Sequence, residues 1–268
     1  VIKMTIKEYV AKQKQLLCIE VEGLQVKPSF VIIQVNDDPA SDSYIRGKIK
    51  DAGEVGIEVK LDKLSPTISE EGLLKVVNKY NNDPKVHGLI VQMPLPKHIS
   101  EDRVKLSVNP KKDIDGFHPL SHLNPCTPQG IIDYLESENI AIEGKSALVI
   151  GRSNIVGKPM AKLLLNKNAT VTIVHSRTKK DDLLNLLARA DIIVVAVGKK
   201  WFVSEEPLKE SAVIIDVGIN RVDGVLYGDV KPERNVALQT PVPGGVGLLT
   251  RLRLLKNLLE AYYEICNN

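Results

Sequence analysis

The sequence lacks the features that would assign it to a membrane, a nucleic acid or an oxidising compartment. Aromatic residues make up only 4% of its 268 positions, too few for a base-stacking surface. Charge of one sign is also missing: the net charge is +3 and no Lys/Arg block stands out, which argues against a nucleic-acid partner. No apolar run approaches the ~20 residues needed to span a bilayer, and the N-terminus has no signal-peptide apolar core, so no membrane association is expected. Cys18, Cys126 and Cys266 have neither metal-site nor disulfide spacing, so a reducing, cytoplasmic setting is expected. The opening Val1, in place of Met, predicts that a residue or more is missing or was processed. The remainder, 43% hydrophobic and 26% charged, is a globular composition, long enough for one large domain or two ordinary ones.

Local signals then set out an alternating chain. Thr5 and Glu8 form a capping box for a first helix. Residues 29–35 read as a strand, and the turn Asn36-Asp37-Asp38-Pro39 leads into a helix with Ile45, Ile49 and Ala52 on its buried stripe. A second strand (57–61), a helix expected to start at Thr67 with Glu70 completing a capping box, and a third strand (86–91) complete a βαβαβ pattern. Such a pattern implies parallel strands with right-handed crossovers. Residues 92–125 are rich in Pro, His and Asp with little periodicity, as in functional loops. Thr127 and Pro128 then open a helix, and strands are expected at 147–150, 170–174, 191–197 and 212–217, with a helix at 181–190. The last helix, from about Val246 to Ile265, carries Leu248, Leu252, Leu255, Leu259 and Tyr262 on one face and needs a partner surface. The expected fold is therefore α/β: two α/β domains with a cleft between them, the last helix packing back on the first. The first domain takes residues 1–125 plus 247–268, and a Rossmann-like domain takes 126–246.

The stretch Ser146–Met160 carries the strongest single motif. An apolar strand meets Gly151, and Gly157 lies on the helix that follows, so the turn is suited to an anion: N–H groups and the helix dipole point at it. Gly151, Ser153 and Gly157 give G-x-S-x-x-x-G, one residue longer than the common dinucleotide fingerprint, and Pro159 rules out a Walker A loop. A purely structural βα turn would need only the glycines. Past the second strand of this half, where an acidic residue would hold the ribose of NAD, the chain reads His175-Ser176-Arg177 with no acid. Ser176, with Arg152 or Arg177, suits a 2′-phosphate, so NADP is expected rather than NAD.

In the first half, Tyr44 and Lys48 share a helix face beside the buried stripe. A lysine losing solvation at such an edge becomes suited to general acid/base work, although the pair alone would more often be a solvated helix face. Gln92 follows the third strand, at the end where open α/β sheets bind ligands. Asp113 and Asp115 lie in KKDIDGFHP; nothing nearby completes a metal shell, so no metal is expected, and an Asp there suits the N–H edge of a heterocycle.

Seven ordered segments place the chain further: DPASDSYIRGKIK, VQMPLP, NPKKDIDGFHP, PCTPQG, GRSNIVGKPM, DVGIN and TPVPGGVG. Through them it resembles the bifunctional methylenetetrahydrofolate dehydrogenase/cyclohydrolase family along almost its full length. The resemblance implies oxidation of 5,10-methylenetetrahydrofolate with NADP and hydrolysis of the methenyl product to 10-formyltetrahydrofolate, with the folate in the interdomain cleft. It implies Lys48 as the central catalytic lysine, Tyr44 as the ring that orients the folate, Gln92 as the partner of that lysine, and Asp115 as the carboxylate gripping the pterin. It further implies cofactor contacts at Gly151, Arg152, Ser153, Ser176, Arg177 and Ile219, folate contacts at Pro243, Gly244 and Gly245, and a homodimer joined through the cofactor domains. Leu248-Leu249 stand where the family has Pro-Met, Asn36 where it often has Gly, and Asp51 where Ala is common. The alternatives are a monofunctional NAD-dependent dehydrogenase and a non-catalytic nucleotide sensor on the same fold.

Overall fold

The structure, a computed structural model, describes residues 4–267. The chain divides into two compact units, one of Ala11–Cys126 with Arg251–Asn268 and the other of Val1–Val10 with Thr127–Thr250. Helix α1 (Ile6–Glu22) opens on the predicted capping box: Thr5 N–H donates to Glu8 Oε2 at 2.8 Å, and Glu8 N–H to Thr5 Oγ1 at 3.3 Å. Its first turn groups with the second of these units rather than with the first domain. The reason is local: Tyr9 packs edge-on against Tyr134, whose hydroxyl donates to Met4 O.

In the first half the elements are β1 (Ser29–Gln34), α2 (Pro39–Glu54), β2 (Glu58–Lys63), α3 (Glu70–Asn81), β3 (Gly88–Gln92) and α4 (Glu101–Ser107). The three strands are parallel in the order β2-β1-β3. β1 and β3 are near-continuous apolar runs and are buried, whereas β2, EVKLDK, is the exposed, charged edge. Two local expectations change. Ser69, not Thr67, caps α3 by accepting Gly72 N–H at 3.1 Å, while Glu70 turns away to Ser100 N–H and Arg103. The stretch read as irregular holds α4, capped by Ser100 and buried through Val104.

The second half runs α5 (Cys126–Ser137), β4 (Ser146–Ile150), α6 (Gly157–Asn166), β5 (Thr170–Val174), α7 (Lys180–Leu187), β6 (Ile192–Val195), β7 (Val213–Asp216), β8 (Asn220–Val222), β9 (Val225–Tyr227) and β10 (Leu238–Gln239). Its parallel sheet has the order β10-β7-β6-β4-β5, so the strand order reverses at β4. β8 and β9 form a separate antiparallel hairpin about Asp223-Gly224, both at positive φ (49° and 80°). Helix α8 (Val246–Cys266) returns its residues from Arg251 onward to the first half, as expected. Among the described residues no helix is long and apolar enough to cross a membrane.

Candidate active site and cofactor turn

Asp38 starts α2: its carboxylate accepts Ala40 and Ser41 N–H, with Pro39 at the first helical position, and these bonds hold the carboxyl below its usual range. Ser41, Ile45, Lys48 and Ala52, spaced by four, three and four residues, are the buried face of the helix. Lys48 therefore occupies a core position, only 5% exposed. A buried ammonium needs partners. Lys48 Nζ donates to Gln92 Oε1 at 3.3 Å, lies 3.9 Å from Asp115 Oδ1, and stands 5.4 Å from the centroid of the Tyr44 ring. Gln92 is the last residue of β3 and fixes its own amide by donating Nε2–H to Met93 O at 2.9 Å. Tyr44, Lys48, Gln92 and Asp115 are thus brought together.

Asp115 reaches this place because its loop is tied to the sheet. Leu89 N–H donates to Lys112 O at 2.7 Å and Leu89 bridges Asp113, extending β3 sideways. Asp113 turns its carboxylate back into the loop and accepts His118 N–H at 2.7 Å; burial pushes its carboxyl up to about 6, and the charge of Asp115 adds to this. Gly116, at φ +73°, leaves room for the Asn124 carbonyl. From α8, the fully buried Asn257 donates to Ile114 O at 2.9 Å and Asn124 O at 3.1 Å. Asn257 was not predicted; its only sequence signal is one amide within an apolar helix. Asp51, noted as a departure, is also explained. One turn beyond Lys48, it accepts both Lys14 Nζ and Arg251 Nε at 2.6 Å.

In the second half, Gly151 N–H donates to Val174 O at 2.9 Å, so the turns after β4 and β5 share one sheet edge. Gly151 has φ +125°, and a Cβ there would overlap Ala196 O at the end of β6. Only glycine fits this close approach. The turn differs from the open N–H cradle expected. Ser153 Oγ accepts Val156 N–H at 3.1 Å and Gly157 N–H at 3.2 Å, and Ser153 O accepts Lys158 N–H at 3.0 Å. Ser153 thus caps the start of α6, and the side chains of Arg152, Ser176 and Arg177 are exposed. His175 shapes their turn, accepting Arg177 N–H on Nδ1 at 3.2 Å. Ile219 follows β7 and is 57% exposed; Pro243, Gly244 and Gly245 follow β10 at the entrance to α8. All of these positions lie beyond carboxyl ends of parallel strands, where open α/β sheets take ligands, and Gly151 stands at the point of strand-order reversal.

Comparison with known proteins agrees with this geometry. Residues 2–115 fit the family model of the tetrahydrofolate dehydrogenase/cyclohydrolase catalytic domain, and residues 125–266 fit its NAD(P)-binding domain. The bifunctional protein FolD of Streptococcus thermophilus is 50% identical over 249 residues, covering 88% of this chain and 87% of that protein. The bifunctional FolD of Campylobacter jejuni superposes with a TM-score of 0.93 at 39% identity over 97% of each chain. FolD of Trypanosoma brucei, solved with NADP cofactor and an inhibitor, gives 0.94 at 31% identity over 100% of this chain and 99% of that one. A buried lysine held by the last residue of β3, and a glycine turn at the strand-order reversal, thus occur in a chain whose two halves fit these two domains in order: it belongs to the tetrahydrofolate dehydrogenase/cyclohydrolase family.

Proposed function

We propose that this chain carries both family activities: it oxidises 5,10-methylenetetrahydrofolate to the 5,10-methenyl form with NADP and hydrolyses that form to 10-formyltetrahydrofolate. The observation that carries the reading is the Lys48–Gln92–Asp115 cluster beside Tyr44. Hydride transfer depends mainly on positioning. Tyr44 offers a ring face to the folate, and Asp115 accepts from the N–H edge of the pterin. NADP, when bound, supplies the hydride acceptor; the Gly151 turn, Arg152, Ser153, Ser176, Arg177 and Ile219 would hold it. The close glycine approach at Gly151 and the exposed Ser/Arg pair after β5 fit a dinucleotide bearing a 2′-phosphate.

Hydrolysis needs a base and an acid. Water adds to the methenyl cation, and Lys48 Nζ, as the free amine, takes one of its protons. That proton passes to the ring nitrogen as the carbon–nitrogen bond opens, while the remaining hydroxyl proton leaves to solvent as the formyl C=O forms. Gln92 holds Lys48 in place for both transfers. A monofunctional dehydrogenase would have no use for this pair. A homodimer through the nucleotide half is supported by the exposed Val222 and Val225 of the β8–β9 hairpin.

The test is an absorbance time course with 5,10-methylenetetrahydrofolate and either NADP or NAD, comparing the wild type with Lys48→Met. The expected result is methenyl product formed with NADP that accumulates in the variant. Hydrolysis at the wild-type rate by Lys48→Met would remove the lysine from the mechanism, and reduction of NAD alone would overturn the reading of Ser176 and Arg177.

A further inference from the structure

Two buried carboxylates at the edge of the nucleotide half take no part in the chemistry described so far. Asp216 ends β7 and Asp229 follows β9; they are 2% and 0% exposed. Asp216 Oδ1 accepts Gly218 and Asp229 N–H, and Oδ2 accepts Val230 N–H, each at 2.9 Å. Asp229 Oδ2 accepts Val197 N–H at 2.7 Å and Gly198 N–H at 2.9 Å, while Oδ1 accepts Lys199 N–H at 2.8 Å and Asn220 Nδ2–H at 2.9 Å. One carboxylate therefore gathers the loop after β6 and the loop after β7. A Cβ on Gly218, in the loop after β7, would overlap Asp229 Oδ1, and one on Gly228, which follows β9, would overlap Asp216 Oδ2, so these two glycines make room for the carboxylates. The loop after β6 begins at Ala196, whose carbonyl lies against Gly151. The loop after β7 carries Ile219.

We propose that Asp229 is a cofactor-positioning residue: its carboxylate sets the Val197–Lys199 and Gly218–Asn220 loops against the Gly151 turn, so that NADP affinity depends on it while hydrolysis of the methenyl form does not. The inference rests on the reading that the cofactor lies at the Gly151 turn. All four groups facing Asp229 are donors, and among side chains of this size only a carboxylate offers four acceptor positions and no donor. Asparagine has the same shape but turns an NH₂ against N–H groups, so Asp229→Asn keeps the volume and reverses part of the polarity.

The test uses the whole chain in the variants Asp229→Asn, Asn220→Ala and Gly151→Ala. Three readings are taken: the KM for NADP against kcat in oxidation, hydrolysis of methenyltetrahydrofolate without NADP, and NADP titration followed by Trp201 emission. Trp201 is the sole tryptophan; its backbone N–H donates to Gly228 O at 3.1 Å and its ring packs edge-on against Tyr227, two residues before Asp229, so it reports locally. Losing charge-assisted bonds from these loops should raise the KM for NADP about 10- to 100-fold in Asp229→Asn, with hydrolysis within about twofold of wild type. Asn220→Ala, which removes one donor, should raise it roughly threefold. It decides the matter if Asp229→Asn does not fold. Unchanged NADP titration in the folded variants, or a parallel fall of both activities, would overturn the proposal. Gly151→Ala tests the cofactor's placement separately. If it leaves KM unchanged while Asp229→Asn raises it, the cofactor lies off that turn but the Asp229 role stands; the reverse result keeps the placement and removes Asp229.

Discussion

The helix that carries Lys48 is held by a charged junction whose strength can be tested in detail. Asp51 Oδ1 accepts Lys14 Nζ and Asp51 Oδ2 accepts Arg251 Nε, both at 2.6 Å, and the side chains are 6%, 17% and 23% exposed for Asp51, Lys14 and Arg251. Removing one partner of a fully buried ion pair costs about 3–5 kcal/mol, and exposed pairs contribute about 1 kcal/mol or less. Asp51 is buried but both cations reach water, so Arg251→Leu and Asp51→Ala should each cost about 2 kcal/mol. Together they should cost about 2–3 kcal/mol rather than 4, a coupling of about 1–2 kcal/mol. Each single change should lower Tm by roughly 4–8 °C, at about 2–4 °C per kcal/mol for a chain of this size. Urea unfolding followed by far-UV circular dichroism measures all three variants. Additivity within about 0.5 kcal/mol would show that the junction contributes nothing as a pair.

The same junction predicts a change of sign at a second position. A Cβ on Gly47, next to Lys48, would lie 2.7 Å from Arg251 Nη1, close enough to displace the guanidinium from Asp51. Gly47→Ala should therefore destabilise the wild-type chain. In an Arg251→Leu background the same substitution should stabilise, by up to about 1 kcal/mol, because alanine is the better helix former and the clash is gone. Destabilisation in both backgrounds would refute the geometric argument, since only the arginine separates them.

Three further outcomes follow from the sites. Gln92→Ala removes the acceptor held to Lys48 at 3.3 Å and should slow hydrolysis by about 10- to 100-fold, with the methenyl intermediate accumulating; an unchanged single-turnover hydrolysis rate would count against the pairing. The double change Ser176→Ala/Arg177→Ala should lower the preference for NADP over NAD by about tenfold or more without raising the KM for NAD, which competing cofactor assays would show. Burial raises the Asp113 carboxyl from 3.8 to about 6, so between these values the folded chain holds a proton that the unfolded chain releases. Its contribution is then present at acid pH and lost as pH rises from about 4 to 6, by roughly 3 kcal/mol. His87, held below its usual range by burial and by the Lys112 charge, acts in the opposite direction. The measurement is therefore the difference between wild type and Asp113→Asn in unfolding free energy at several pH values, and a pH-independent difference would refute it.

What the sequence made legible, and what it did not, follows from the range of the forces involved. The capping box at Thr5, the Asp38-Pro39 start of α2, and the βα alternation are set by neighbours within a turn or by the period of apolar residues, and they are present as read. The cap at Thr67 fails through distant partners: Ser100 N–H and Arg103 take the Glu70 carboxylate, and Ser69, with Gly72 rather than an acid three residues on, caps the helix by its hydroxyl alone. The hairpin at Asp223-Gly224 was legible in principle, since that dipeptide tolerates two successive positive φ angles. Lys48 stood out because its spacing places a charge at the edge of a buried stripe, but the groups that let the fold take it fully inside, Gln92 and Asp115, come from 44 and 67 positions away. The positioning groups were hardest to see. Asn257, Arg251 and Asp229 carry no pattern of their own; each gains its role only when the fold brings distant groups to it, the Asp51 carboxylate to Arg251, loop carbonyls to Asn257 and loop N–H groups to Asp229. A catalytic group leaves a local trace, because the surrounding pattern must be broken to admit it. The groups that hold it leave none, because hydrogen bonds to the backbone of another segment place no demand on that segment's side chains.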